Sequence, residues 1–224
     1  MSLNTEKEEI AVVVNRLCDN LSTTISSKLG REGVALRHQI GDVRANYDTM
    51  LRDGQFATEL LACFTTAREA NVKLESLIFV RQGLFAENPD GDISIAIVQA
   101  AIVFCLAAES RMISVIEFVS RDDVEIMMRR MKLAFDTARD LAADALDSST
   151  YQQLTALAGA LTNHLANKAR PLPRMVTFNI PTSLPALAVS QRIYYDSSRW
   201  EEIIQENKTI HPAFVQREIR GLST

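Results

Sequence analysis

At 224 residues, with 47% hydrophobic and 23% charged side chains, the chain carries enough apolar material for a sizeable core and sits in the ordinary range of folded soluble domains. Its net charge is −4 and no Lys/Arg run exceeds the pair Arg129-Arg130, which excludes the basic stripe of a protein gripping nucleic acid through phosphates. Eight glycines and six prolines predict few turns and long regular elements.

Met1-Ser2-Leu3 reads as an expression leader, so the chain is expected to be a piece of a longer protein. Met1 to Glu9 is polar and acidic, without the basic-then-apolar order of a signal peptide. From Thr5 to Ala169 the pattern is helix after helix. Ile10, Val13, Leu17, Leu21 and Ile25 recur at three- and four-residue steps, with Gly30 as the expected stop. Leu36, Ile40, Val43, Tyr47 and Met50 form a second stripe, closed by Asp53-Gly54. A third starts at Phe56 and is expected to run unbroken through Phe64, Leu74 and Ile78 toward Gly83. Glu87-Asn-Pro-Asp-Gly91 is a breaker. Asp92 then caps a helix expected to continue to about Val119.

The most apolar stretch of that helix, residues 93–108, falls short of the roughly 20 residues a bilayer span needs and reads as a helix buried on most of its faces. Ser120-Arg-Asp-Asp123 resembles a capping box with Asp in place of Glu, opening a fifth helix that carries Val124, Met127, Met131 and Phe135. Asp147-Ser-Ser149 punctuates, and Leu154, Leu157, Leu161 and Leu165 mark a sixth. Three of these helices are expected to exceed 25 residues, about 39 Å at 1.5 Å per residue. About six long amphipathic helices with short connections predict an antiparallel bundle over residues 1–169; the same stripes also suit pairing with a second chain, so a homo-oligomer stays open.

Five of the six prolines lie beyond residue 170, and there the backbone rules change. Pro171 and Pro173 force an extended link. Met175-Val-Thr-Phe178 reads as a strand bounded by Pro181. Ser183 is the expected N-cap of a helix with Pro185 in its first turn, running to about Tyr194. Ser197 or Ser198 starts another through Trp200, Ile203 and Ile204 to Asn207, and Glu218 to Leu222 forms a closing strand. The fold class is therefore mainly α: a helical bundle, 1–169, followed by a small βααβ module, 170–224.

Strand, helix, helix, strand is the order of a LysM module, and Trp200 to Asn207 stands where that module has its second helix and following Asn. The usual opening Gly-Asp-Thr is missing. From Ser120-Arg-Asp-Asp123 onward the chain resembles the C-terminal region of the DNA-circularisation (DNA-circulation) proteins of Mu-like phages and prophages. The shared pieces are Arg170-Pro-Leu-Pro-Arg174, the Leu184-Pro-Ala-Leu187 helix start, the turn at Tyr194-Tyr195-Asp196, and a helix with Arg199, Glu202 and Asn207. Ile210, His211, Pro212, Phe214 and Val215 follow. Gln216-Arg-Glu218 stands where the family has a Pro-Gly-Gly turn, and the family's N-terminal domain is not seen. The resemblance implies a phage tail component, assembled in the bacterial cytoplasm and carried in the virion tail, with baseplate-hub and tape-measure proteins as partners. It also implies protection and joining of injected DNA ends, for which this chain shows no residues.

Nothing else in the sequence reads as chemistry. The cysteines, Cys18, Cys63 and Cys105, fall in apolar helical patterns and are expected as buried free thiols of a reducing compartment. His38, His164 and His211 are far apart, and no His or Cys pair has metal spacing, so no metal or cofactor is expected. Asp122-Asp123 suit a first helical turn rather than paired acids. Met127, Met128 and Met131 read as core filling, with an adaptable partner surface as the alternative. Trp200, at helical spacing with Ile203 and Ile204, is expected in the core of the module rather than as a sugar platform. Leu187, Ile193, Tyr194, Tyr195, Phe214 and Val215 are the expected exposed apolar residues that meet a partner. The leading reading is thus a non-enzymatic tail or baseplate component, with a peptidoglycan-binding LysM module and a DNA-end binder as alternatives.

Overall fold

In the computed structural model, residues 3–26 and 30–223 are described, residues 3 and 4 as backbone only. Met1 and Ser2 of the expected leader lie outside them. The described residues are mainly helical, with a small two-stranded antiparallel sheet near the C-terminal end. They fall into two compact units, one from Met1–Ile116 with Met131–Leu161 and the other from Glu117–Arg130 with Thr162–Thr224. Strand first appears at Met175, just past the proline link; the two compact units group residues 117–130 and 162–169 with the C-terminal segment.

The helical unit contains α1 (Leu3–Thr23), α2 (Gly30–Arg52), α3 (Phe56–Glu69), α4 (Leu74–Phe85) and α5 (Asp92–Val115); α6 (Arg121–Asp144) and α7 (Ser148–Ala169) each contribute to both units. The periodic residues turn inward as the stripes require: Leu17 and Leu21 of α1, Leu36 of α2, Phe64 of α3, Leu77 of α4 and Leu106 of α5 are all buried. Each such side chain contributes about 1.5–3 kcal/mol on leaving water. Helix α1 packs against α2, α4 and α5, and α3 against α2 and α5.

Several boundaries differ from the sequence reading, each for a local reason. Helix α1 stops at Thr23, before Ile25, where the Thr24 hydroxyl donates to the Leu21 carbonyl (2.7 Å); Gly30 is not its stop but the first residue of α2. The single third helix is two, α3 and α4, so seven helices rather than six are described up to Ala169. The break is a Schellman motif: Val72 N–H donates to Ala67 O (3.1 Å), Asn71 N–H to Arg68 O (3.0 Å), and Asn71 takes a left-handed φ of 54°. Helix α5 has Gly91, not Asp92, as its N-cap and ends at Val115 rather than Val119, because Ile116 is extended. The Glu9 carboxylate accepts from the N–H groups of Asp90 (2.6 Å) and Gly91 (2.9 Å), which holds the start of α5 from α1. No described helix exceeds 24 residues.

Two caps follow the sequence reading. The Ser120 hydroxyl accepts from Asp123 N–H (3.2 Å), and the Asp123 carboxylate accepts from Ser120 N–H (3.3 Å), a reciprocal box at the start of α6. Asp147 accepts from Thr150 N–H (3.0 Å) at the start of α7. Hydrogen bonding to Thr150 lowers the Asp147 carboxyl below its ordinary value.

By length and composition α5 is apolar enough to cross a membrane, and at 24 residues it is longer than the 93–108 run suggested. Its Ile97, Ala101, Ile102, Cys105 and Leu106 are nevertheless buried inside the helical unit.

In the C-terminal unit, β1 (Met175–Asn179) pairs antiparallel with β2 (Glu218–Leu222), in register from Met175 opposite Leu222 to Asn179 opposite Glu218. Between them lie α8 (Ala186–Tyr194), a 3₁₀ turn (Ser197–Arg199) and α9 (Trp200–Glu206). The proline link is tied to the first turn of α6: Arg121 N–H donates to Pro173 O (2.8 Å), and Asp122 accepts from Met175 N–H. Ser183 does not cap α8. Its hydroxyl donates to Val215 O (2.8 Å), and α8 starts at Ala186, whose N–H donates to Pro212 O (2.7 Å). Ile180, Val189, Ile203, Val215 and Ile219 form the core, and Trp200 packs half-buried against it.

Candidate functional site

The ionisable groups that converge in the C-terminal unit are Tyr194, Arg199 and Glu202. Helix α8 ends at Tyr194, and Tyr195 turns the chain with a left-handed φ of 57°. Asp196 then accepts from Ser198 N–H (2.8 Å), opening the 3₁₀ turn that carries Arg199 over the Tyr194 ring, 3.7 Å from its centroid. One turn into α9, Glu202 receives the Tyr194 hydroxyl (2.7 Å) on one carboxylate oxygen. On the other it receives Arg199 Nε (2.9 Å) and Nη2 (2.7 Å), and Leu222 N–H of β2 lies 3.4 Å from the first.

Four donors occupy the roughly four lone-pair positions of a carboxylate. Glu202 is thus engaged by donors from α8, the 3₁₀ turn and β2, and the cluster is a clasp between these elements and α9. Burial, and then the hydrogen bond to Glu202, push the Tyr194 hydroxyl above its ordinary range, so it stays a donor at neutral pH. Gly221 makes room for it: a Cβ there would stand 2.3 Å from the Tyr194 Oη.

Asn207 completes the clasp from the end of α9. Its side chain donates to Arg220 O (2.8 Å) and to Ile203 O (2.8 Å), and accepts from Arg220 N–H (2.7 Å). The amide thus occupies the backbone of β2 at Arg220 as a neighbouring strand would, blunting that edge. Helix α9 ends in another Schellman motif, with Lys208 left-handed and Thr209 N–H donating to Ile204 O (3.0 Å).

Of the six residues expected on the surface, the structure divides the set. Tyr194 and Val215 are buried, not exposed: Tyr194 is held by the clasp, and Val215 by its N–H bond to Leu184 O (3.0 Å). Ile193 is half-buried against the core. Leu187, Tyr195 and Phe214 are exposed, and Ile210 joins them. His211 and Pro212 are exposed too. His211 Nδ1 accepts from Ala213 N–H (3.2 Å), and its ring lies 5.7 Å from that of Phe214.

Sequence reasoning missed one constellation in the helical unit. Arg81 of α4 and Glu109 of α5 form an ion pair of 2.8 Å, with the Glu109 side chain 0% exposed. The Cys105 thiol donates to Leu77 O (3.4 Å) and lies 3.6 Å from Glu109 Oε1. The signal was present: Val98, Ile102, Cys105 and Glu109 share one buried stripe, as do Leu74, Leu77, Ile78 and Arg81, so opposite charges lie on two inward faces. All three cysteines are free and buried, and burial raises each thiol, Cys63 to about 12, away from a nucleophilic thiolate. Among the described residues no group of three or more His, Cys, Asp or Glu side chains is placed to hold a metal.

No family model and no curated protein matches this chain.

Proposed function

We propose that the chain is a non-enzymatic structural or assembly component of a Mu-like phage tail or baseplate, in the DNA-circularisation family. It acts through protein–protein contacts made by a LysM-like C-terminal module. The order β1, α8, α9, β2 with antiparallel outer strands supports the LysM-like reading. The self-satisfied clasp at Glu202 supports a joint rather than a reactive centre. Helix α5 serves as a core helix in this reading, since Glu109 and its Arg81 partner lie inside the unit.

The observation that carries the proposal is a set of large apolar side chains standing in solvent on pinned backbone. Ile210 is 101% exposed, Tyr195 87% and Phe214 71%. The 210–215 loop is tied down by Ala186 N–H to Pro212 O and by Phe214 N–H to His211 O (3.0 Å), so these residues are presented rather than loosely hanging. Tyr195 also holds a left-handed conformation that costs a non-glycine residue about 1–2 kcal/mol. Exposed apolar groups fixed in this way suit a partner surface.

Co-purification with hub and tape-measure proteins from a reconstituted tail operon tests the reading. Recovery of those partners, lost in a Tyr195→Gly/Ile210→Ser/Phe214→Ser variant that still folds, is the expected result. Recovery of neither partner, or recovery indifferent to the variant, counts against it. The βααβ order also favours a second reading, a peptidoglycan reader used during DNA injection; sedimentation with purified cell-wall material through Tyr195 and Phe214 would select it. DNA-end binding is disfavoured by the net charge of −4.

A further inference from the structure

The helical unit carries a groove that the C-terminal module does not explain. Along α5, Phe104, Ala107, Arg111 and Val115 recur at three- and four-residue steps, and along α3, Leu61, Thr65 and Arg68 do the same. The two stripes face a pair of cavities of about 190 and 490 Å³. Phe64, Phe104 and Ala107 line the smaller; Val72, Met112, Val115 and the charged Glu69 line the larger; Arg68 and Arg111 border both. From Phe104 to Val115 the groove runs about 17 Å at 1.5 Å per residue, the length of three helical turns.

We propose that this groove docks an amphipathic helix of a partner protein, with apolar residues along one face and Asp or Glu beside them. Its middle is narrow-walled because Ala107 and Ala108 carry only methyl groups, which lets a helix axis approach closely. Leu61 and Val115 are exposed at the two ends and extend the apolar track.

The arginines set the charge of the occupant. The Arg111 side chain has no ion-pair partner among the described residues. Among the described residues Arg68 is paired only with its neighbour Glu69, at 3.2 Å, on a surface where such a pair holds weakly. Two guanidiniums over an apolar floor, outnumbering the one carboxylate of the lining, Glu69, complement a helix whose acidic side chains reach them as bidentate partners. A concave track with two cations suits a helix better than a lipid surface, which takes a basic cluster on a convex face. The inference stands apart from the tail reading: the groove belongs to the other unit, and its test needs no tail protein.

Three fluorescent peptides of about 14 residues, long enough to fill the groove at 1.5 Å per residue, share one leucine stripe and carry Glu, Gln or Lys on the flanks. Their binding to the full chain is read by anisotropy at low and high salt. The Glu peptide is expected to bind tightest and to weaken with salt. Arg68→Gln/Arg111→Gln should weaken the Glu peptide roughly tenfold and leave the Gln peptide unchanged. Ala107→Trp should block both. Equal binding of Glu and Lys peptides, no binding of the Glu peptide, or binding that survives Ala107→Trp overturns the proposal. So does Ala107→Trp abolishing a self-association of the chain, which would assign the groove to a second copy. Binding to phosphatidylglycerol vesicles through the same arginines, with the peptides inert, would assign it to a membrane. The arginine variants are at the surface and keep the test usable should Ala107→Trp fail to fold.

Discussion

The helical unit takes charge fully inside as one pair, Arg81 with Glu109, whereas the C-terminal unit keeps its charge at the margin, where Glu202 collects Tyr194, Arg199 and the backbone of β2. The difference follows from size. A core built from the stripes of many helices is deep enough to surround an ion pair and supplies stability by burial alone. A unit with a two-stranded sheet, two short helices and only parts of α6 and α7 has fewer apolar contacts to offer, so polar bonds across α8, α9 and β2 supplement a small apolar core. One pair is a cost tolerated within a large core; the other cluster is a fastening for a small one.

The largest expected effect tests the first half of that contrast. Glu109→Ala leaves Arg81 charged and buried without its partner, and should cost about 3–5 kcal/mol. Denaturant unfolding followed by far-UV circular dichroism reads it. Arg81→Met/Glu109→Leu should recover most of the loss, because the desolvation cost of both charges goes with them. A loss as small for Glu109→Ala as for a surface alanine would mean the pair is not enclosed.

Gly221→Ala comes next. The added Cβ would meet the Tyr194 Oη at 2.3 Å, and relieving that overlap should cost about 1–3 kcal/mol. Trp200, the single tryptophan, lies in the C-terminal unit and reports its unfolding separately by fluorescence. In a Tyr194→Phe background the nearest atom becomes Tyr194 Cζ at 3.3 Å, so the two substitutions should cost less together than their sum. Additive effects would place the strain elsewhere.

Tyr194→Phe alone should cost about 1.5–3 kcal/mol, the range for a hydrogen bond to a charged group. This loss has a pH signature. The folded-state value of Tyr194 lies above its ordinary 10, so the hydroxyl's contribution is complete below pH 10 and is lost as pH rises through the folded value. The stability gap between the native chain and Tyr194→Phe should therefore close in alkali. A gap that instead widens with pH would show that the phenol is not the donor.

The smallest effect runs in the opposite direction. Helix α6 ends in a Schellman motif with Leu146 left-handed, φ 55°, and 90% exposed, so its side chain supplies strain and almost no burial. Leu146→Gly should stabilise the helical unit by about 0.5–1 kcal/mol in thermal unfolding by circular dichroism, despite glycine's entropy cost.

Leu146 also shows where sequence reading ran out. Glycine is the local signal for a left-handed stop, and Gly54 carries one. Asn71, Leu146 and Lys208 perform the same turn without being glycine, so the break between α3 and α4 passed for continuous helix. Gly30, with the composition of a stop, instead opens α2. In the C-terminal unit both strands and both helices were legible to within a residue or a few, because alternation, proline and the Trp200-Ile203-Ile204 spacing are local signals. The surface set was only half legible. Tyr194 and Tyr195 are adjacent and alike, yet one is clasped and the other stands in solvent, since a left-handed residue at the helix end sends them apart.

Residue spacing and local punctuation suffice to say where helices and strands run, because those signals act over a few residues along the chain. Which polar group meets which requires the fold. Asp122 holding Met175, Glu9 holding Asp90 and Gly91, Arg81 meeting Glu109 and Asn207 lying along Arg220 are pairings between distant positions. Hydrogen bonds and desolvation respond to shifts of an ångström or less, and only packed helices and strands fix positions that finely.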